Sequence, residues 1–307
     1  MPIKIPDSLP ARTVLESENI FVMTQFRAMH QDIRPLKMLI LNLMPTKEVT
    51  ETQILRKLSN TPLQIEIDLL RTISHESHNT DAEHLESFYV SFDEVKDRRY
   101  DGMIITGAPV ENMDYEAVDY WEELCRIMEW TKTNVYCTMH ICWGALAALY
   151  YHYGIPKRSL DEKLFGVFEH RALKKDSPFF RGLDDVFYVP HSRFAYVDRA
   201  DIEGVPELEV MAVSDRAGVF AVKTQDSRRF FITGHPEYDR TTLMQEYLRD
   251  VEKGTDIALP ENYFPGDDPK NEPLCTWRSS AQLMYTNWLN YYVYQTTPYE
   301  ISRVGEE

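Results

Sequence analysis

The chain has 307 residues, of which 43% are apolar, enough to build one large α/β core or two small ones. A formal net charge of −16 speaks against holding nucleic acid or an anionic membrane surface by bulk electrostatics. No run approaches the roughly 18 apolar residues of a membrane span, and the N-terminal Met1-Pro2-Ile3-Lys4 segment lacks the apolar stretch of a signal peptide, so a cytoplasmic protein is expected.

Residues 1–35 carry Pro2, Pro6 and Pro10 with little periodicity, which predicts an extended arm laid over the domain or over a partner subunit. A single α/β domain is expected over 36–297, with a short tail at 298–307. Apolar runs at 37–43, 64–70, 101–106 and 134–139 alternate with helical patterns near 48–59, 115–131 and 143–153. This alternation predicts a mostly parallel sheet covered by helices on both faces. Sheets of that kind place their sites in loops at the carboxyl ends of the strands. Four segments follow predicted strands, at 44–47, 107–111, 140–142 and 234–237, and they are expected to converge on one edge.

From 154 to 200 the pattern loosens, with turns expected around Gly154, at 174–178 and at Pro190-His191-Ser192-Arg193, and the stretch reads as an insertion supplying substrate contacts. Three further strands, at 208–213, 218–222 and 229–233, are expected to be antiparallel at the sheet edge. A helix is predicted from Arg240 to Lys253, a Pro- and Asp-rich loop at 259–269, and an aromatic-rich terminal helix from Thr276 to Gln295.

The chemistry gathers around Cys142. It stands at the junction of a short apolar strand and a helix beginning Trp143-Gly144-Ala145, where the first N–H groups of a helix stabilise a thiolate or an oxyanion. The other cysteines, Cys125, Cys137 and Cys275, form no Cys-x-x-Cys or Cys/His metal spacing and read as packing residues. His235 and Glu237 follow another predicted strand. In extended backbone, residues two apart point the same way, and Pro236 disfavours a helical turn at His235, so the carboxylate can orient the imidazole. Cys142, His235 and Glu237 together form a candidate triad for covalent catalysis.

The cysteine junction and Gly234-His235-Pro236-Glu237 resemble the class I glutamine amidotransferase-like fold, a flavodoxin-like three-layer architecture. Within it the chain resembles the homoserine O-acyltransferases of methionine biosynthesis, through Ile3 to Ala11, Leu41 to Lys47, Thr106 to Glu111, His140 to Gly144, Val189 to Arg193 and Thr233 to Glu237. The resemblance implies ping-pong transfer of an acyl group from an acyl-CoA to the hydroxyl of L-homoserine through a thioester on Cys142. It also implies an oxyanion role for Lys47 and substrate binding by Lys163, Ser192 and Arg249. Glu111, with Ser192, would set the donor: glutamate there goes with acetyl-CoA and glycine with succinyl-CoA. No metal or redox cofactor is implied, and a homodimer is expected. The alternatives are a homoserine O-succinyltransferase and a glutamine amidotransferase-like hydrolase. Amidotransferases carry Gly-x-Cys-x-Gly, whereas this chain has His140 two residues before its cysteine. Without the resemblance, Lys163 and Arg249 read as solvated side chains, Ser192 as a turn residue, and Lys47 equally as a surface lysine.

Overall fold

The computed structural model describes residues 4–5, 23–24, 34–74 and 80–305. Two short strands, β1 (Lys4–Ile5) and β2 (Met23–Thr24), pair in parallel. The rest of the expected arm, up to residue 33, lies outside the described residues, as do the last two residues of the tail. Arg34 donates to both carboxylate oxygens of Asp101, at 2.6 and 2.8 Å, and to the carbonyl of Pro298 at 3.0 Å. The start of the domain is thus tied to its end.

The apolar runs become β3 (Leu36–Leu41), β4 (Ile65–Leu70), β6 (Tyr100–Ile105) and β7 (Val135–Ile141), with the two-residue β5 (Tyr89–Val90) outside β4. Helix α1 (Lys47–Leu58) follows β3. Two short helices, α2 (Ala82–Phe88) and α3 (Phe92–Val95), escape the periodicity analysis because each is too short to show a face. Their caps were readable: Asp81 accepts the Glu83 N–H, and Ser91 with Glu94 forms a capping box. Helix α4 (Trp121–Asn134) precedes β7, and α5 (Trp143–Tyr153) follows it, ending at Gly154 in the left-handed region with φ 68°.

Strand β3 shows why the core forms on both sides. Leu39 and Leu41 pack with Ile105, Trp143 and Leu146 on one face, while Met38 and Ile40 pack with Ile54, Trp288 and Leu289 on the other. Nearly every position is apolar because each face has a helical layer against it.

The stretch expected to be a loose insertion is instead the longest hairpin of the sheet, β8 (Arg158–Ala172) and β9 (Val186–Tyr196). Pro190 lies inside β9, not in a turn. A proline is tolerated there because β9 is the edge strand and needs no donor on its outer side. After α6 (Arg199–Glu203) come β10 (Leu208–Ser214), β11 (Gly218–Thr224) and β12 (Arg229–Ile232). They are antiparallel to one another, as expected, but they are not the edge. The ten-stranded order is β5-β4-β3-β6-β7-β12-β11-β10-β8-β9. Strand β12 is parallel to β7 and joins the parallel half to the antiparallel half. Helix α7 (Thr242–Glu252) follows, and the terminal helix begins as α8 (Arg278–Asn287) and widens to a π-helix over Trp288–Tyr294.

The register places Leu41 beside Ile105, Ile105 beside His140, and Ile141 beside Ile232. All four segments expected at one edge therefore leave the sheet side by side. Gly144 lets α5 start against that edge: a Cβ there would lie 2.5 Å from the carbonyl oxygen of Thr106. Gly144→Ala is expected to destabilise the fold by about 1–3 kcal/mol through overpacking. Urea midpoints measure this, and an unchanged midpoint would show that the helix start can move away.

Candidate active site

Cys142 is the residue before α5, with φ 49° and ψ −119°, a backbone conformation that L side chains rarely adopt. Such strain costs on the order of 1–3 kcal/mol and persists where the surroundings enforce it. Here they do: the Cys142 N–H donates to the carbonyl of Ile232 at 2.7 Å, and its own carbonyl accepts from Ala145 and Leu146. The thiol is held at the sheet edge. The amides of Trp143 and Gly144, in the first turn of α5, have no carbonyl of their own helix to reach and are available to an oxyanion.

His235 leaves β12 with its N–H on the carbonyl of Pro190 at 2.8 Å. Its Nδ1 lies 2.7 Å from Glu237 Oε1, and its side chain hydrogen-bonds to Cys142. With Nδ1 occupied by the carboxylate, Nε2 is the nitrogen left for the thiol. The three side chains named from the sequence therefore meet, all of them buried. Burial by itself would lower the His235 pKa, but the charges of Cys142 and Glu237 and the hydrogen bonds to them outweigh it and hold it well above the usual imidazole range. The ring stacks on Tyr238, centroids 4.1 Å apart. Gly234 is required just before it, because a Cβ there would approach the His191 ring to 2.9 Å.

Around this centre the remaining predicted residues divide. Lys163 on β8 sends Nζ to within 3.5 Å of Glu246 and 3.3 Å of Asp250, both on α7. Ser192, on β9 opposite Phe165, donates to Glu246 Oε2 at 2.5 Å. Glu111, in the loop after β6, is half-buried; burial pushes its carboxyl pKa up, against the opposing pull of His235 and Lys163. Arg249 pairs with its neighbour Asp250 at 2.7 Å and is half-exposed. Lys163 and Ser192 thus meet at Glu246, Glu111 feels the charges of His235 and Lys163, and Arg249 joins this group only through Asp250.

Lys47 stands apart. Its Nζ donates to the carbonyls of Asn42 at 2.6 Å and Met44 at 3.4 Å. It is buried, not a surface lysine, and burial brings its pKa down to about 8 against the raising effect of Glu51. Its hydrogen bonds brace the turn after β3 and do not run to Cys142.

Sequence reasoning missed Glu246, Asp250, Tyr238 and Arg193. Glu246 and Asp250 were detectable as acids four residues apart on one face of a predicted helix. Arg193 is buried and donates to the carbonyls of Ala195 and Ala217, each at 2.6 Å, and to His191 Nδ1 at 3.3 Å. Burial brings its pKa down to about 10, while Cys142 and Glu111 act to raise it. No signal in the sequence separates it from a surface arginine. Among the described residues, no cluster of His, Cys, Asp and Glu is placed to hold a metal, and no helix is long and apolar enough to cross a membrane.

A sequence profile described as HTS, homoserine O-succinyltransferase, matches residues 2–299. The chain belongs to the homoserine O-succinyltransferase family. Relatives within it are close over their full length. A protein of Petrotoga mobilis named homoserine O-acetyltransferase is 58% identical over 100% of this chain and 99% of its own. One of Geobacillus sp. with the same name is 60% identical over 98% of this chain and 99% of its own. The family profile and these relatives thus carry different acyl groups in their names. A solved glutamine amidotransferase from Thermotoga maritima superposes with a TM-score of 0.55 at 14% identity, covering 85% of this chain and 100% of that one. Another from Methylobacillus flagellatus has a TM-score of 0.51 at 11% identity, covering 84% and 95%. At such identities the likeness is one of fold, and it agrees with the expected amidotransferase-like sheet.

Proposed function

We propose that the chain transfers an acetyl group from acetyl-CoA to the hydroxyl of L-homoserine, through a thioester on Cys142. The observation that carries this reading is the buried Cys142, His235 and Glu237 array at the strained start of α5.

In the first half-reaction the Cys142 sulfur attacks the thioester carbonyl, and the oxyanion is met by the Trp143 and Gly144 amides. The bond to the coenzyme sulfur breaks, and His235 returns a proton to the departing thiol. In the second, the homoserine hydroxyl attacks the acyl-enzyme while His235 takes its proton. The C–O bond forms, the bond to Cys142 breaks, and the sulfur leaves as the thiolate. Glu237 holds the imidazole with Nε2 toward the sulfur throughout. Burial of the thiol limits hydrolysis of the intermediate, and the pocket of Lys163, Ser192 and Arg249 holds the amino acid so that it outcompetes water.

The donor follows from Glu111. A succinyl group would bring a second carboxylate against one already half-buried, whereas acetyl carries none. Measuring free thiol release with acetyl-CoA and succinyl-CoA, each with L-homoserine, L-serine or water, tests both substrates. Faster turnover of succinyl-CoA would make this a succinyltransferase. Glu111→Gly is expected to raise the succinyl-to-acetyl rate ratio at least about 10-fold, since one unfavourable charge contact is worth about 1.4 kcal/mol or more. An unchanged ratio would remove Glu111 from the donor pocket. The same reading takes the enzyme as cytoplasmic and homodimeric, without metal or redox cofactor, and sedimentation of the purified chain tests the dimer.

A further inference from the structure

We infer that a pocket near the amino ends of β7 and β12, lined by Lys132, Thr138, Arg228 and Arg229, binds a phosphate group. The site lies away from the reaction. Cys142 and His235 follow the carboxyl ends of these same two strands, and Thr138 precedes Cys142 along the chain by about 13 Å at the rise of an extended backbone.

The cavity measures about 110 Å³, room for about three or four waters, which is the scale of one phosphate group and not of a whole nucleotide. Thr138 in its lining is only 2% exposed, and its Oγ1 has no hydrogen-bond partner among the described residues. Buried hydroxyls are nearly always paired. The sheet does not meet this need, since it is the Thr138 N–H that donates to the carbonyl of Arg228, at 2.9 Å. The register sets Arg229 directly beside Thr138, so the two side chains share one face.

Both arginines are half-buried, and their partners among the described residues are neutral. Arg228 donates to the carbonyls of Tyr136 at 2.5 Å and Val135 at 3.4 Å, with its guanidinium 4.4 Å from the Tyr136 ring centroid. Arg229 hydrogen-bonds to Tyr153. Guanidiniums left without a carboxylate stand out in a chain of net charge −16. The acids nearby are engaged. Asp226, also in the lining, accepts from the Thr224 hydroxyl at 2.5 Å and the Arg228 N–H at 2.9 Å, and Lys132 holds Glu129 at 2.5 Å. Helix α4 ends here with a partial charge of about −0.5, and Asp226 adds one more negative charge. Three cations outweigh both. The arginine forks suit the paired oxygens of a phosphate, Lys132 adds a point charge, and the Thr138 hydroxyl supplies a further donor from within. A bound phosphate ties β7 to β12 and to the last turn of α4, so it stabilises the native chain by mass action.

Inorganic phosphate is the probe, titrated by calorimetry into the full chain in low salt at neutral pH. One phosphate per chain is expected, with a melting temperature that rises with phosphate and not with chloride at equal ionic strength. Arg229→Gln should weaken binding at least about 10-fold and remove the rise, Thr138→Val should weaken it about 10-fold, and Arg229→Lys, which restores the charge, should keep most of both. Coenzyme A added to the phosphate-loaded chain identifies the source. Displacement assigns the pocket to a phosphate of the coenzyme, and no displacement assigns it to free phosphate. An equal rise with chloride, binding that survives Arg229→Gln, or no heat with either phosphate or coenzyme A would overturn the site.

Discussion

Cys142→Ala is expected to lower acetyl transfer to L-homoserine by about 10³-fold or more and to abolish the acetyl adduct seen after incubation with acetyl-CoA. The size of the effect follows from the division of labour in the site. Without the sulfur there is no covalent carrier, and the imidazole has no thiol to deprotonate. His235→Asn should cost a comparable factor, because both proton transfers pass through Nε2. Glu237→Gln should cost less, about 10- to 100-fold, since it removes the orienting charge and leaves the base. Neither Cys137 nor Cys125 is a good substitute. Cys137 is buried beneath the Trp288 indole, whose Nε1 donates to it at 3.2 Å, and burial pushes its pKa up to about 12. Burial pushes Cys125 up to about 11. An adduct that persists in Cys142→Ala, or a variant keeping more than a tenth of the activity, would end the covalent mechanism.

The second large effect is on stability in mild acid. Four histidines are held neutral: burial brings His140 down to about 4, His170 down to about 3 and His152 down to about 2, and drives His191 well below the usual range. His170 and His191 form a chain that requires neutrality. Arg193 donates to His191 Nδ1, His191 Nε2 lies 3.1 Å from His170 Nε2 and donates to it, and His170 Nδ1 donates to the carbonyl of Phe168 at 2.9 Å. A proton added to either ring would set two N–H groups against each other. The sign is therefore definite. These depressed values stabilise the native state fully above pH 6.5, where both states are neutral. As pH falls below that, the unfolded chain takes up protons that the native state refuses. Each histidine costs about 1.4 kcal/mol per pH unit, so the four together cost about 6 kcal/mol per unit. His235 adds no slope in this window. Its raised pKa contributes stability fully below 6.5 and loses it only as pH rises through the folded value. Urea midpoints between pH 6.5 and 5 should fall steeply, and His140→Phe should reduce the slope by about a quarter. A flat profile over that range would show that the histidines are not held neutral.

The legible part of this protein was the part written locally. Cys142 could be placed because a strand pattern, a helix pattern and the small Gly144 meet around it, and His235 and Glu237 because Pro236 keeps them extended. The hairpin of β8 and β9 was not legible, since its strands mix exposed charges with half-buried positions, and Pro190 mimics a turn where an unpaired edge tolerates it. The burial of Lys47 was not legible either. Its position after a strand was correct, yet its Nζ turns back to the carbonyls of its own loop.

Periodicity and short motifs, then, determined the parallel half of the sheet, the edge at which its loops gather, and the three side chains of the triad. Those features depend on residues near one another in sequence, whose geometry follows from backbone preference. The charged cluster of Lys163, Ser192, Glu246 and Asp250 depends on contacts between β8, β9 and α7, segments separated by 54 residues in the case of Ser192 and Glu246. Whether a given Glu, Lys or Arg becomes solvated surface or part of a charged pocket is set by which strand lies beside it. That was decided only when the sheet closed its order, with β12 seated between β7 and β11, and brought distant charges into one partly dry space.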